Sequence, residues 1–434
     1  MLLRSWIAGI HLAVVILAGT AYADEKLALI LPGVYGPEGL RVDSLALLPS
    51  GQTHSAHFNS AFQTEFRQFN VAFASQITSL PAPSPASGFT YTFDSSLGLF
   101  TRSTDSFGPI LADRGATLGK NKFSAGFAFQ YFTFDTLDGI DVKGIPAVFT
   151  HDNPARGGRD DVVSTENSID AKVGQFTVFL DYGIATWLDA ALAIPVMSVD
   201  LTVTSTSTIN RIGTSSNPRV HFFRDSSGAI GSSHVFRSTG QASGIGDLTF
   251  RLKGRLLEKG PIVLGLGVDF RAPTGDEQDL LGSGAPGVKP FFVFSTAKKR
   301  TSFHLNFGYQ WNGKSVLAGD VATGEKAEFP DQLVYAGGVT VAASKRLTFA
   351  LDVIGQRFLN APRLSTRTFT ALDNVTTLPD VSFGTSSFSE TSGSVGLRIN
   401  AVGGLLINAN VLFKLDDNGL RDKATPLVGL EYSF

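Results

Sequence analysis

The sequence predicts an all-β fold, a transmembrane antiparallel β-barrel preceded by a partly helical plug. Three observations predict it: an N-terminal secretion signal, repeated segments with two-residue alternation, and links that are by turns short and long. Residues 1–23 read as a signal peptide. Arg4 supplies the positive region, the run from Trp6 to Ala18 the apolar stretch, and Ala21, Tyr22 and Ala23 a small-x-small cleavage site. After it no stretch approaches the roughly 18 to 20 consecutive apolar residues that a membrane-spanning helix needs. With no cysteine in the chain, a lipid-anchored cysteine and a disulfide framework are both excluded.

The alternation begins near residue 88 and defines a barrel over residues 88–434. Phe303, Leu305, Phe307, Tyr309 and Trp311 share one strand face, and Ser302, His304, Asn306, Gly308 and Gln310 the other. The same split recurs at 123–131 and 405–414. Short links at 119–122, 185–187, 256–260, 297–300, 343–346 and 401–404 alternate with long polar ones near 136–168, 204–239, 273–286, 313–330 and 359–390. Short periplasmic turns and long outer loops have this asymmetry. Counting strands back from a periplasmic C-terminus gives about 14, including 106–118 and 88–93, or about 12 if the first hairpin belongs to the plug. Val428, Leu430, Tyr432 and the terminal Phe434 lie on one face of the last strand, a pattern that resembles the assembly signal of bacterial outer-membrane proteins.

Residues 24–87 break the alternation. Phe58, Phe62, Phe66, Phe69 and Phe73 are spaced for one face of a helix, and Pro81, Pro83 and Pro85 end it. The stripe needs an apolar surface. It reads either as ordinary packing or as a greasy binding face inside the barrel, and the segment as a plug.

Charge and composition exclude other classes. With 36 Lys and Arg against 38 Asp and Glu, a net charge of −2, no basic run could follow a phosphate backbone, so nucleic acid is not expected as a partner. His304 and Asn306 fall on the polar, lumen-facing side of their strand, and parity also places Arg251, Asp269, Arg271 and Arg398 there, where charges can pair across the barrel. No catalytic set accompanies His304, and the acidic clusters at 135–141 and 276–279 lack the full calcium-loop pattern. No enzyme activity, cofactor or metal is expected.

The strings YGIATWLDAALAIP at 182–195, GIGDLTFRLKGRLL at 244–257 and FRAPTGDEQDLLGSGAPGVKPFF at 270–292 resemble those of the outer-membrane transporters grouped with meta-pathway phenol-degradation proteins. That family is itself distantly similar to FadL-type fatty-acid channels. The resemblance implies passive uptake of hydrophobic or aromatic small molecules across the bacterial outer membrane. Its expected partners are outer-membrane lipid and lipopolysaccharide, the barrel-assembly machinery and the solute. The alternative is a general diffusion porin, or a structural barrel without a specific solute.

Overall fold

The computed structural model describes residues 26–37, 39–45, 58–59, 61–77, 79–80, 91–94, 99–102, 106–151, 161–214 and 219–434. The expected signal peptide lies outside these residues, as do the side chains of Phe62 and Phe66.

Twelve strands form the barrel wall. They are β1 (Phe123–Thr133), β2 (Asp161–Ala185), β3 (Leu188–Arg211), β4 (Leu248–Lys259), β5 (Ile262–Ala272) and β6 (Gly287–Lys298), followed by β7 (Thr301–Asn312), β8 (Gln332–Ser344), β9 (Leu347–Thr370), β10 (Thr377–Val402), β11 (Leu405–Lys414) and β12 (Ala424–Ser433). Each pairs antiparallel with the next, and β12 returns to β1 with Leu430 opposite Phe127 and Val428 opposite Phe129. Closure leaves no open edge in the wall, which a bilayer demands of any sheet that crosses it.

The alternation read in the sequence becomes an inside and an outside. On β7, Phe303, Leu305 and Phe307 are 50%, 59% and 56% exposed, whereas Ser302 and His304 are 4% exposed. The same outward exposure holds at Phe127 and Phe129 on β1, Phe349 and Leu351 on β9, and Val428 and Tyr432 on β12. Tyr182, Trp187 and Phe434 sit outward beside the short turns, and Tyr131, Phe270 and Trp311 near the opposite rim. These are two aromatic girdles around an apolar band, the outer dress of a transmembrane barrel.

The strand count is twelve, because the two earliest expected strands are not in the wall. Among the described residues, 91–94 pair only with Leu99–Arg102, in a separate hairpin. Residues 106–118 form no strand and cross the lumen instead. The chemistry gives the reason: in a strand, adjacent Asp113 and Arg114 would point to opposite faces. One charge would then meet lipid, at a cost of roughly 2 to 4 kcal/mol near the midplane.

Beyond the wall, on the long-loop side, several strands continue. The outer half of β2 pairs with Ile145–His151, which pairs with Phe58–Asn59, and the outer half of β3 pairs with Ser233–Ile245. Against this outer sheet pack α1 (Leu27–Ile30) and the larger helix α2 (Ala61–Ile77), in a continuous apolar core that includes Leu27, Ile30, Phe69, Phe73, Phe134 and Val199. Gly240 leaves room there for the side-chain ends of Ile30 and Leu27, which would lie 2.5 and 2.8 Å from a Cβ at this position. Tyr35 anchors the entering chain: its hydroxyl donates to Asn167 Oδ1 at 3.0 Å and lies 2.8 Å from Ser205 Oγ. Burial pushes this phenol up to about 12. Lys26 binds Asp276 and Asp279 of the 273–286 loop at 2.9 and 2.7 Å, and the hydrogen bonds to these two carboxylates raise its pKa.

Candidate functional site

Inward-facing side chains from seven of the twelve strands hydrogen-bond to residues 106–118, and that is how the chain is held across the lumen. Ser106 Oγ lies 2.7 Å from Thr340 Oγ1 on β8, and Thr348 on β9 accepts the Phe107 N–H. Arg398 on β10, fully buried, donates to the Phe107 carbonyl at 3.0 Å and lies 3.6 Å from Glu431 on β12. Asp352 on β9 accepts the N–H groups of Ile110 and Leu111. Asn306 on β7 grips the backbone of residue 113 from both sides, accepting its N–H at 2.7 Å and donating to its carbonyl at 2.9 Å. Further along, Lys253 on β4 donates to the Arg114 carbonyl, Ser295 on β6 accepts the Gly115 N–H, and Asp189 on β3 accepts the Leu118 N–H. The side chains thus supply the backbone partners that an irregular segment lacks in its own structure. Gly115 passes so close to β5 that a Cβ would sit 2.9 Å from the Val263 carbonyl oxygen.

The charges of this layer pair with one another. Arg251 Nη1 donates to both carboxylate oxygens of Asp113, at 2.8 and 3.0 Å, while its Nε and Nη2 donate to Asp269 at 2.7 and 2.8 Å. Lys289 Nζ closes on Asp269 at 3.1 Å, and the Arg251 guanidinium lies 4.8 Å from the centre of the Phe291 ring. Charge-assisted, two-pronged pairs of this kind are among the stronger protein hydrogen bonds.

Above this floor is a cavity of about 350 Å³. Leu111 and Asp113 line it below, and Gln76, Ser79 and Leu80 at the end of α2 line it on the outer side. Its wall is mixed: Phe132, Phe134, Phe179, Phe291, Ile354 and Leu412 alternate with the ion pairs and with Gln310, Gln332 and Gln356. The volume falls within the roughly 300 to 1,000 Å³ typical of small-molecule sites, and about half of the lining residues are polar or charged.

Of the residues singled out from the sequence, Arg251, Asp269, Arg271 and Asn306 line the cavity. Arg271 donates to Asn312 Oδ1 and lies 3.7 Å from Asp247. His304 and Arg398 lie deeper. His304 Nδ1 is 3.0 Å from Ser295 Oγ, the hydroxyl that receives the Gly115 N–H, so the histidine steadies the floor. Phe58, Phe69 and Phe73 are buried and do not line the cavity. Phe69 and Phe73 stack at 5.9 Å, Phe73 meets the edge of Phe134 at 5.8 Å, and Phe58 meets His221 at 5.3 Å. These rings hold the outer core in place, and among the described side chains of α2 the C-terminal end reaches the cavity.

Residues 151–362 match the family model described as "Putative MetA-pathway of phenol degradation". The match spans just under half of the chain, and over these residues the chain is similar to that family. No curated protein matches it in sequence. Among solved structures it is similar to an outer membrane channel from Pseudomonas putida F1, at TM-score 0.42 and 12% identity over 74% of this chain and 98% of that one. A toluene transporter from Ralstonia pickettii gives TM-score 0.34 and 9% identity over 74% and 92%. A Pseudomonas aeruginosa FadL homologue gives TM-score 0.30 and 9% identity over 82% and 96%. The architecture rests on the chain's own strand pairing. A closed, even-stranded, antiparallel wall with an apolar outer band belongs in the bacterial outer membrane.

Proposed function

We propose that this protein is a passive outer-membrane channel for hydrophobic or aromatic small molecules, and that it works as a channel without catalysing a reaction. The observation that carries the reading is the cavity between the crossing segment 106–118 and the end of α2, whose mixed wall includes the rings of Phe132, Phe134, Phe179 and Phe291. A general porin needs a continuous water path, and here the chain crosses the lumen on a ring of hydrogen bonds. An apolar solute instead gains by leaving water for the rings of the cavity wall. Among the similar structures, one is named as a toluene transporter. In the same reading, residues 24–87 and 106–118 together form the plug, the α2 stripe holds its outer part in place, lipopolysaccharide surrounds the outer rim, and Phe434 is read by the assembly machinery.

The test is uptake of labelled toluene, phenol and oleate by cells carrying or lacking the protein, beside conductance in planar bilayers. Faster uptake of at least one solute with nearly silent traces is expected. Steady ion conductance with no difference in uptake would overturn the proposal in favour of a porin.

A further inference from the structure

The short-turn rim carries an uneven set of charges. Three consecutive turns around the wall, β4 to β5, β6 to β7 and β8 to β9, carry Lys259, then Lys298, Lys299 and Arg300, then Lys345 and Arg346. All six are exposed. Among the described residues none of the six makes an ion pair, and the one acid on these turns, Glu258, is already paired with Arg255. The other end of the barrel is different. There Lys143 faces Asp170, Lys314 faces Glu328, Arg367 faces Asp380 and Lys423 faces Asp135. Six cations along half a rim repel one another unless something outside the chain neutralises them.

What lies next to them identifies that counter-charge. Leu256, Leu257 and Ile262 on the first turn, and Val341 and Phe349 beside the third, are exposed apolar side chains at the edge of the band that faces acyl chains. Whatever covers this edge with hydrocarbon brings its headgroup level with the cations, and long basic side chains reach outward to such a layer.

We propose that this arc binds anionic phospholipid headgroups in the periplasmic leaflet, fixing a shell of acidic lipid on the β4–β9 side of the barrel. Each cation that engages a headgroup favours acidic over neutral lipid by about fivefold. The attraction weakens with salt, as exposed charge does.

The test uses the full-length protein, reconstituted in vesicles of mixed phosphatidylcholine and phosphatidylglycerol and then extracted gently. The lipids retained per folded barrel are measured by mass spectrometry, with folding scored by heat-modifiable gel migration. The wild type should retain phosphatidylglycerol in several-fold excess over its share in the vesicle, and the excess should fall with added salt. A K298Q/K299Q/R300Q variant should lose most of it, whereas Lys326→Gln on the outer hairpin should not. Retention in proportion to vesicle composition, or an excess unchanged in the triple variant, would overturn the proposal. So would enrichment appearing only in the presence of an acidic periplasmic protein. If the variant folds poorly, the salt dependence of the wild type still decides the matter.

Discussion

The clamp on the lumen segment can be tested by removing one charge. In Asp113→Asn the side chain keeps its shape, and Asn306 still holds the backbone of residue 113, because those bonds do not involve the carboxylate. What is lost is the charge that receives two hydrogen bonds from Arg251 Nη1. Stripping a lone partner from a buried ion pair costs about 3 to 5 kcal/mol. Arg251 keeps Asp269, however, so the loss should be nearer that of a hydrogen bond to a charged group, about 1.5 to 3 kcal/mol. At 1.36 kcal/mol per factor of ten, release of the segment becomes roughly 10 to 150 times more frequent. Single-channel recording should show openings in Asp113→Asn at that multiple of the wild-type frequency, while Asp373→Asn on the distal hairpin stays silent. A folded Asp113→Asn barrel with traces like those of the wild type would refute the claim that this ion pair keeps the lumen closed.

Three further outcomes follow from the same structure. Phe434→Ala should lower the yield of heat-modifiable barrel in outer-membrane fractions without changing secretion. The Phe434 N–H bond to the Phe123 carbonyl survives the change while the ring contact with Tyr432 at 4.5 Å does not, so equal yields would show the aromatic ring to be incidental. Phe73→Ala, which empties a site 1% exposed, should cost about 3 to 5 kcal/mol in the outer core and raise ion leak, with the wall still folded. Unchanged leak in that variant and in a 24–86 deletion would remove the N-terminal segment from the closure. Asp161, outside the membrane wall, is opposed by burial, but His221 at 2.5 Å, Thr214 and backbone N–H groups outweigh it and hold its carboxyl down at about 2. Its stabilisation is therefore full above the ordinary carboxylate pKa near 3.8 and is lost as pH falls through about 2. Hydrogen exchange at residues 212–214 should quicken over that acid window in the wild type and not in Asp161→Asn, and parallel curves would refute the assignment.

The wall was legible because its outer face answers to a uniform solvent. Lipid accepts Phe303, Leu305 and Phe307 and rejects Ser302 and His304 wherever they fall, so the period of two survives in the sequence without knowledge of any partner. Turn length was legible for a related reason, since a two-sided membrane imposes different constraints at its two ends. The α2 helix was found from its aromatic spacing, but the spacing could not say what the rings touch. Phe73 meets Phe134, a residue far along the chain that follows the end of β1.

The lumen segment was missed because the interior of the barrel is no uniform solvent. Its residues are chosen by individual partners: Asp113 by Arg251 and Asn306, the Phe107 carbonyl by Arg398, the amides of Ile110 and Leu111 by Asp352. Such pairings leave no period, and residues 106–118 look enough like a weak strand to be counted as one. The usable signal was a contradiction: adjacent Asp113 and Arg114 cannot both face inward on a strand, and Pro109 has no N–H to give a ladder. A segment inside a barrel sequence that breaks the lipid rule, flanked by strands that obey it, has its polar groups satisfied somewhere other than the wall. In a chain whose inward faces carry Arg251, Asp269, Asp352 and Arg398, that place is the lumen.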